Sequence, residues 1–120
     1  MRTSATRIVL LVVAVSVLVL SAALLRSEPI PYVVTAIDYH FHDAHPTAPL
    51  APGRALVVRN EGRNVHNVTI PALGLVTDVL PGEEFTVEDI AGRLAPGSYE
   101  LFCRFHRDRE MTGVILIVGS

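Results

Sequence analysis

The sequence has no lysine, no tryptophan and a single cysteine among its 120 residues. One cysteine excludes an internal disulfide framework, and it leaves no partner for a CxxC redox pair or a zinc knuckle. A chain of this length has room for one globular domain. We therefore exclude multi-domain enzymes, disulfide-stapled toxins and polytopic membrane proteins.

Basic residues are scarce beyond the N-terminus. All 12 acidic residues but only seven of the ten arginines lie in residues 27–120, which gives this part of the chain a net charge near −5. A mildly acidic domain without a basic stripe argues against nucleic-acid binding.

The sequence has one long apolar run, residues 8–25, which is 18 residues without a charge. Arg2 and Arg7 precede it, the order that keeps the N-terminus inside the cytoplasm and sends the following domain out. As a helix the run would be about 27 Å long, just enough to cross a bilayer. The alternative is a cleaved signal peptide, with Ser21 and Ala23 at the cleavage positions. Residues 1–26 are thus predicted to be a membrane anchor or a signal peptide, and the domain to be extracytoplasmic, either periplasmic or at the cell surface.

After a Pro-containing linker at residues 27–31, short β-rich runs alternate with turn signals through a domain at residues 32–120. This spacing predicts an all-β, two-sheet sandwich. Residues 89–94 are predicted to form a short helical turn, and residues 46–53, with three prolines, a loop. The predicted strands are residues 32–41, 55–60, 65–70, 73–80, 84–87, 98–103 and 113–118.

The residues that carry chemistry are Cys103, His106 and Met111, in a C-x2-H-x4-M spacing between the last two predicted strands. Two histidines and a cysteine with a long axial methionine form the ligand set that suits blue copper. The second histidine must come from elsewhere, and His66 at the start of a strand is the candidate. Each residue alone has an ordinary structural interpretation, as a buried thiol, a surface imidazole or a core thioether. Their joint spacing favours one copper ion that cycles between Cu(I) and Cu(II).

Around these residues the chain resembles the cupredoxins, in particular the plastocyanin-like type 1 copper proteins. The resemblance covers most of residues 32–118. It rests on three runs: Asn60-x5-His66-Asn67; Leu80-Pro81-Gly82-Glu83 followed by Phe85; and Pro96-Gly97-Ser98-Tyr99-x-Leu101-Phe102-Cys103-x2-His106-x4-Met111-x-Gly113 with Val118.

The resemblance implies an eight-stranded Greek-key sandwich and one copper ion held by His66, Cys103, His106 and axial Met111. It implies that Asn67 joins the ligand loops by hydrogen bonds outside the ligand set. It also implies that the protein carries single electrons between redox partners. Many relatives have proline before each ligand histidine and glycine before the methionine, where this chain has Val65, Phe105 and Glu110.

The loop between Cys103 and Met111 is unusually charged. Arg104, Phe105, Arg107 and Arg109 are candidate docking residues, which would steer an acidic redox partner electrostatically. The alternative is that these arginines are solvated loop charges, partly paired with Asp108 and Glu110.

A second unusual stretch contains His40, His42 and His45. Alternation along a strand puts His40 and His42 on one face, with His45 just beyond, so a second metal site for copper or zinc is geometrically possible. Exposed histidines without a metal are the alternative.

We expect an extracytoplasmic, monomeric electron carrier and not an enzyme, because no catalytic triad, phosphate loop or carboxylate pair accompanies the copper ligands. Its electron donor and acceptor would be other redox proteins. A copper-trafficking or copper-sensing protein with the same fold is the alternative function, with the three clustered histidines as a loading site. A metal-free structural sandwich is the third possibility.

Overall fold

The computed structural model describes residues 4–24, 29–44 and 49–119. An N-terminal helix, α1, spans Ser4–Leu24, and a one-turn helix, α2, spans Ile90–Arg93. The strands are β1 (Tyr32–Ile37), β2 (His40–His42), β3 (Pro49–Leu50), β4 (Leu56–Asn60), β5 (His66–Ile70), β6 (Leu75–Val79), β7 (Glu84–Val87), β8 (Gly97–Phe102) and β9 (Thr112–Ile117).

Residues 8–24 of the apolar run form most of α1, and the large side chains between Ile8 and Val17 are exposed. Within the described part of the chain, no helix combines the length and apolarity needed to cross a bilayer. The membrane anchor or signal peptide at residues 1–26 stays a prediction. Export of the domain stays a prediction.

The strands form two sheets, ordered β2-β1-β4-β7 and β3-β9-β8-β5-β6. Their facing sides bury aliphatic side chains from both sheets, because alternate residues of each strand point into the space between them. Residues with no exposed surface include Val34, Val58, Val68, Leu101 and Ile115. The predicted all-β sandwich is confirmed.

The predicted strand at residues 32–41 is a hairpin. Ile37 pairs with His40 across a two-residue turn, in which Asp38 takes a left-handed backbone (φ 51°) that aspartate tolerates better than most residues. The turn changes the alternation of faces, so that Phe41 pairs with Ala36 and is buried beside it. The prediction of one continuous strand over residues 32–41 is therefore wrong.

The predicted proline-rich loop contains one short strand. Pro49 and Leu50 pair in parallel with Leu116 and Ile117 of β9, and Leu50 is fully buried. Burial of one leucine in the sandwich explains why this segment joins the sheet despite its prolines, since an edge position does not require every backbone N–H. The structure therefore contains nine strands in its described part, rather than eight.

Strand pairing brings three connections to one end of the sandwich. Parallel pairing of β1 with β4 aligns Ala36 with Asn60, so the β1–β2 turn and the β4–β5 loop are neighbours. Antiparallel pairing of β5 with β8 aligns Thr69 with Phe102, and β8 with β9 aligns Phe102 with Thr112. The pairing of β8 with β9 thus closes the loop at residues 103–111, and this loop begins next to the start of β5.

Candidate metal centre

Three of the predicted ligands meet at this end of the sandwich. His66 is the first residue of β5, Cys103 directly follows β8, and His106 precedes a 3-10 turn at Arg107–Arg109. Their ligand atoms, the ring nitrogens and the thiol sulfur, all lie within 4.8 Å of one another. This is the only such group of metal-ligating side chains in the described residues. His66 therefore meets two residues that lie 37 and 40 positions further along the sequence.

His66 is the deepest of the three. Its side chain is fully buried, and neither ring nitrogen has a hydrogen-bond partner among the described residues. A buried polar atom without a partner costs about 1–3 kcal/mol, so folded proteins rarely leave two on one side chain. A metal ion bound at one of these nitrogens would remove part of that cost. The buried imidazole of His66, whose nitrogens have no hydrogen-bond partner among the described residues, is therefore suited to bind a metal ion.

The surroundings of His66 keep it neutral. Burial lowers the pKa of His66 below its ordinary value of 6.5, the charge of His106 lowers it further, and Asp38 opposes the shift. A neutral imidazole has a free lone pair, which is the form that binds a metal. His66 is therefore available as a ligand at a lower pH than an exposed histidine would be.

The loop before His66 is held in place by Asn60 at the end of β4. The Asn60 side-chain amide donates hydrogen bonds to the carbonyl oxygens of Asn64 and Val79, both at 2.8 Å. Its oxygen accepts the Gly62 N–H at 2.9 Å. Gly62 lies close to the site, because a Cβ there would stand 3.2 Å from Nε2 of His66. A small residue and one buried amide thus fix the approach to the first ligand.

Cys103 is fully buried, and its sulfur has two polar neighbours. The backbone N–H of Asn67 donates to Sγ at 3.2 Å, and Nδ1 of His106 lies 3.5 Å from Sγ. The Asn67 side chain points elsewhere: it donates to Asp78 at 2.7 Å and accepts from Thr69. Asn67 therefore connects β5 to the thiol through its backbone, and β5 to β6 through its side chain.

Met111 closes the ligand loop and is fully buried. Its N–H donates to the carbonyl of His106 at 3.2 Å, and its carbonyl accepts the N–H of Cys103 at 3.0 Å. Glu110, which stands where many relatives have glycine, takes a left-handed backbone with φ 59°. These contacts place Met111 beside two of the converging ligands, while its role as the axial ligand stays a prediction.

Among the described residues, the arginines of the loop form no ion pair with Asp108 or Glu110. Arg104 pairs with Asp78 of β6 at 3.5 Å, and Arg107 pairs with Glu100 of β8 at 3.1 Å. Each guanidinium also lies over an aromatic ring: Arg104 over Phe105, Arg107 over Phe102, and Arg109 over Tyr39. Phe105 is 44% exposed. The four candidate docking residues thus lie on the exposed loop around His106.

His40 and His42 lie on the same exposed face of β2, with ring centroids 6.2 Å apart. His45 lies outside the described residues. No third His, Cys, Asp or Glu completes a metal group with His40 and His42 in the described part of the chain. A second metal site stays a prediction.

Tyr39 is the neighbour of the site that sequence reasoning missed. It lies in the β1–β2 turn with its ring edge-on to His106, at a centroid distance of 5.0 Å. Tyr39 falls within the predicted strand at residues 32–41, because Asp38-Tyr39 lacks the glycine or asparagine that marks most two-residue turns. Asp38 was the only residue of this pair whose type indicated a turn.

The donor set defines the class of protein. Two imidazoles and one thiol at one point of a β-sandwich are the donor set that suits a mononuclear copper site of type 1 chemistry. His66, Cys103 and His106 fit a single copper ion.

Comparison with known proteins assigns the family. The family model described as a cupredoxin-like domain matches residues 8–117, and the chain belongs to this family. No curated protein matches the chain.

Solved structures share the fold. A reduced amicyanin mutant is similar with a TM-score of 0.59 and 17% identity, covering 73% of this chain and 82% of that one. A mutant fern plastocyanin is similar with a TM-score of 0.57 and 15% identity, and the match covers 72% of this chain and 99% of that one. A copper-containing nitrite reductase from Thermus scotoductus SA-01 is similar with a TM-score of 0.61 and 20% identity. The match covers 77% of this chain but only 23% of that larger chain.

Proposed function

We propose that this protein carries single electrons between redox partners through one type 1 copper ion, with His66, Cys103, His106 and axial Met111 as ligands. The observation that carries the proposal is the convergence of two imidazoles and a thiol within 4.8 Å at one end of a cupredoxin sandwich. Bound copper would supply the one-electron Cu(II)/Cu(I) couple, and the thiolate its covalent path.

The residues of this chain suit a carrier because they hold the ligands still. His66 and Cys103 are fully buried and tied to adjacent strands, so the ligand positions need not change when the metal charge changes. His106 is the partly exposed member of the three. It is the edge of the site that a redox partner can approach.

The carrier is not itself an enzyme under this proposal. The described residues contain one metal group, and the matched nitrite reductase is a chain of which this one spans about a quarter. Copper trafficking or sensing needs easy release of the metal, which a buried thiol and a buried imidazole oppose. Slow copper loss to a chelator therefore distinguishes the carrier from the trafficking alternative.

We extend the proposal to location and partner. The arginines that precede the apolar run support export of the domain, and the intact mass of the native protein shows whether the N-terminal segment is retained or cleaved. The partner we propose is acidic at its contact, since three arginines surround His106 on an exposed loop. Two of them are already paired, which leaves Arg109 as the strongest candidate for steering.

The test is to express the full chain, add Cu(II) and record visible spectra of the wild type and Cys103→Ser. We expect an intense blue band that the mutant lacks, with reversible one-electron reduction and one copper per chain after dialysis. A second copper would support the His40 and His42 site. A colourless wild type, or rapid copper loss to a mild chelator, would contradict the carrier.

A further inference from the structure

Three rings and one cation form a continuous stack at the exposed edge of the site. His106 packs edge-on against His66 at a centroid distance of 5.2 Å and against Tyr39 at 5.0 Å. The guanidinium of Arg109 lies 4.3 Å from the centroid of the Tyr39 ring. The half-buried ring of His106 therefore contacts both a buried imidazole and a tyrosine whose own ring lies under a guanidinium.

Tyr39 and Arg109 come from different parts of the fold. Tyr39 is presented by the β1–β2 turn, whereas Arg109 belongs to the same loop as His106 and donates its backbone N–H to the His106 carbonyl at 3.0 Å. The contact between Arg109 and Tyr39 thus fastens the ligand loop to the opposite sheet. A ring with two aromatic contacts has less freedom to tilt, which keeps a ligand in one orientation.

Arg109 differs from its neighbours in its charge balance. Arg104 and Arg107 each lie within ion-pairing distance of a carboxylate, whereas Arg109 has none among the described residues. Its position over Tyr39 is therefore set by the cation–π contact, worth roughly 0.5–1 kcal/mol at exposed sites. An uncompensated cation next to the site favours the form of the metal with the lower positive charge, which is Cu(I).

We propose that Tyr39 and Arg109 are positioning residues for the copper centre: Tyr39 fixes the His106 ring, and Arg109, held on Tyr39, biases the site toward the reduced state. The proposal rests on the proposed function, since it assigns a role in the same site. It makes the β1–β2 turn, which contributes no ligand, a determinant of the reduction equilibrium.

The test combines four variants of the full chain with one matched control. Arg109→Gln removes the charge, Tyr39→Leu removes the ring that holds it, Tyr39→Phe keeps the ring, and a double variant joins Tyr39→Leu with Arg109→Gln. Arg54→Gln is the control, because Arg54 also lies over a tyrosine, Tyr32, but at the other end of β1. The equilibrium of the copper-loaded protein with a redox dye is measured at low and high salt.

We expect Arg109→Gln and Tyr39→Leu each to shift this equilibrium toward Cu(II) by a factor of about 3 to 10 at low salt, and less at high salt. Tyr39→Phe and Arg54→Gln should leave it within a factor of about 2 of the wild type. The double variant should shift no further than the larger single one, because both changes remove the same interaction. Equal shifts in Arg109→Gln and Arg54→Gln would overturn the proposal.

A second measurement needs no metal. In the metal-free protein, the ring current of Tyr39 displaces the NMR signals of the His106 ring protons, and Tyr39→Leu should abolish that displacement while Tyr39→Phe retains it. Unchanged His106 signals in Tyr39→Leu would contradict the ring contact. If that variant does not fold, the exposed Arg109→Gln decides the outcome alone. If the wild type binds no copper, the proposed function fails, whereas the NMR comparison still tests the stack.

Discussion

The two sides of the metal centre are built differently. The side that carries His66 is buried strand and a short loop, held by the side chain of Asn60. The side that carries His106 is an exposed loop, held by backbone hydrogen bonds and by contacts between arginines and aromatic rings. A substitution on the His66 side removes buried hydrogen bonds, whereas a substitution on the His106 side removes contacts that water partly replaces. The first side should therefore determine stability, and the second the redox properties.

The largest effect is expected at Asn60. Asn60→Ala removes three hydrogen bonds and leaves the Val79 carbonyl, the Asn64 carbonyl and the Gly62 N–H without this partner. We expect the free energy of unfolding of the metal-free protein to fall by about 2–4 kcal/mol, measured by chemical denaturation.

Asn64→Ala is the matched control for this change, since it truncates an exposed asparagine in the same loop. It should change the free energy of unfolding by less than about 0.5 kcal/mol. Equal losses in the two variants would show that the side chain of Asn60 does not organise the His66 side of the site.

A smaller effect is expected from the protonation of His66. Its pKa is lowered by burial first and by the charge of His106 second, so the folded metal-free protein binds fewer protons than the unfolded chain. The stability that this provides is complete above the ordinary pKa of 6.5, and it is lost progressively as the pH falls from 6.5 to the folded-state pKa.

The measurement is the free energy of unfolding of metal-free protein across this window, compared with His66→Gln, which has no imidazole to protonate at this position. The wild type should lose more stability than the variant as the pH is lowered. Parallel pH profiles would mean that His66 is not kept neutral by its burial.

The smallest effect is expected on the loop side, at Glu110. Its left-handed backbone disfavours any residue with a Cβ, by roughly 1 kcal/mol relative to glycine. Glu110→Gly should therefore raise the free energy of unfolding by about 0.5–1 kcal/mol, despite the greater freedom of glycine in the unfolded chain.

Glu110→Ala separates the backbone effect from the loss of charge, because it removes the carboxylate but keeps the Cβ. Thermal unfolding of the two variants should show stabilisation for glycine only. A gain of similar size in the alanine variant would assign the effect to charge repulsion in the loop instead.

Three of the four candidate ligands could be named from the sequence because they lie on one short segment. Cys103, His106 and Met111 lie within nine residues, and such spacing is constrained by the chain itself. His66 required the resemblance or the fold, since it reaches the others only through the pairing of β5 with β8. The ion pairs of the loop were harder to predict. Arg104 and Arg107 lie near Asp108 and Glu110 in sequence, but they pair with Asp78 and Glu100.

The sequence alone determined the chemical identity of the site and the class of fold, because alternation, turn residues and a short ligand spacing are properties of neighbouring positions. Only the tertiary structure decided that residues 32–41 turn back on themselves, that Tyr39 meets His106, and that Arg109 is the loop arginine without an acidic partner in the described chain. The physical reason is that these contacts join residues from separate strands and loops. Their distances depend on strand register and on one left-handed turn at Asp38, which local sequence specifies only weakly.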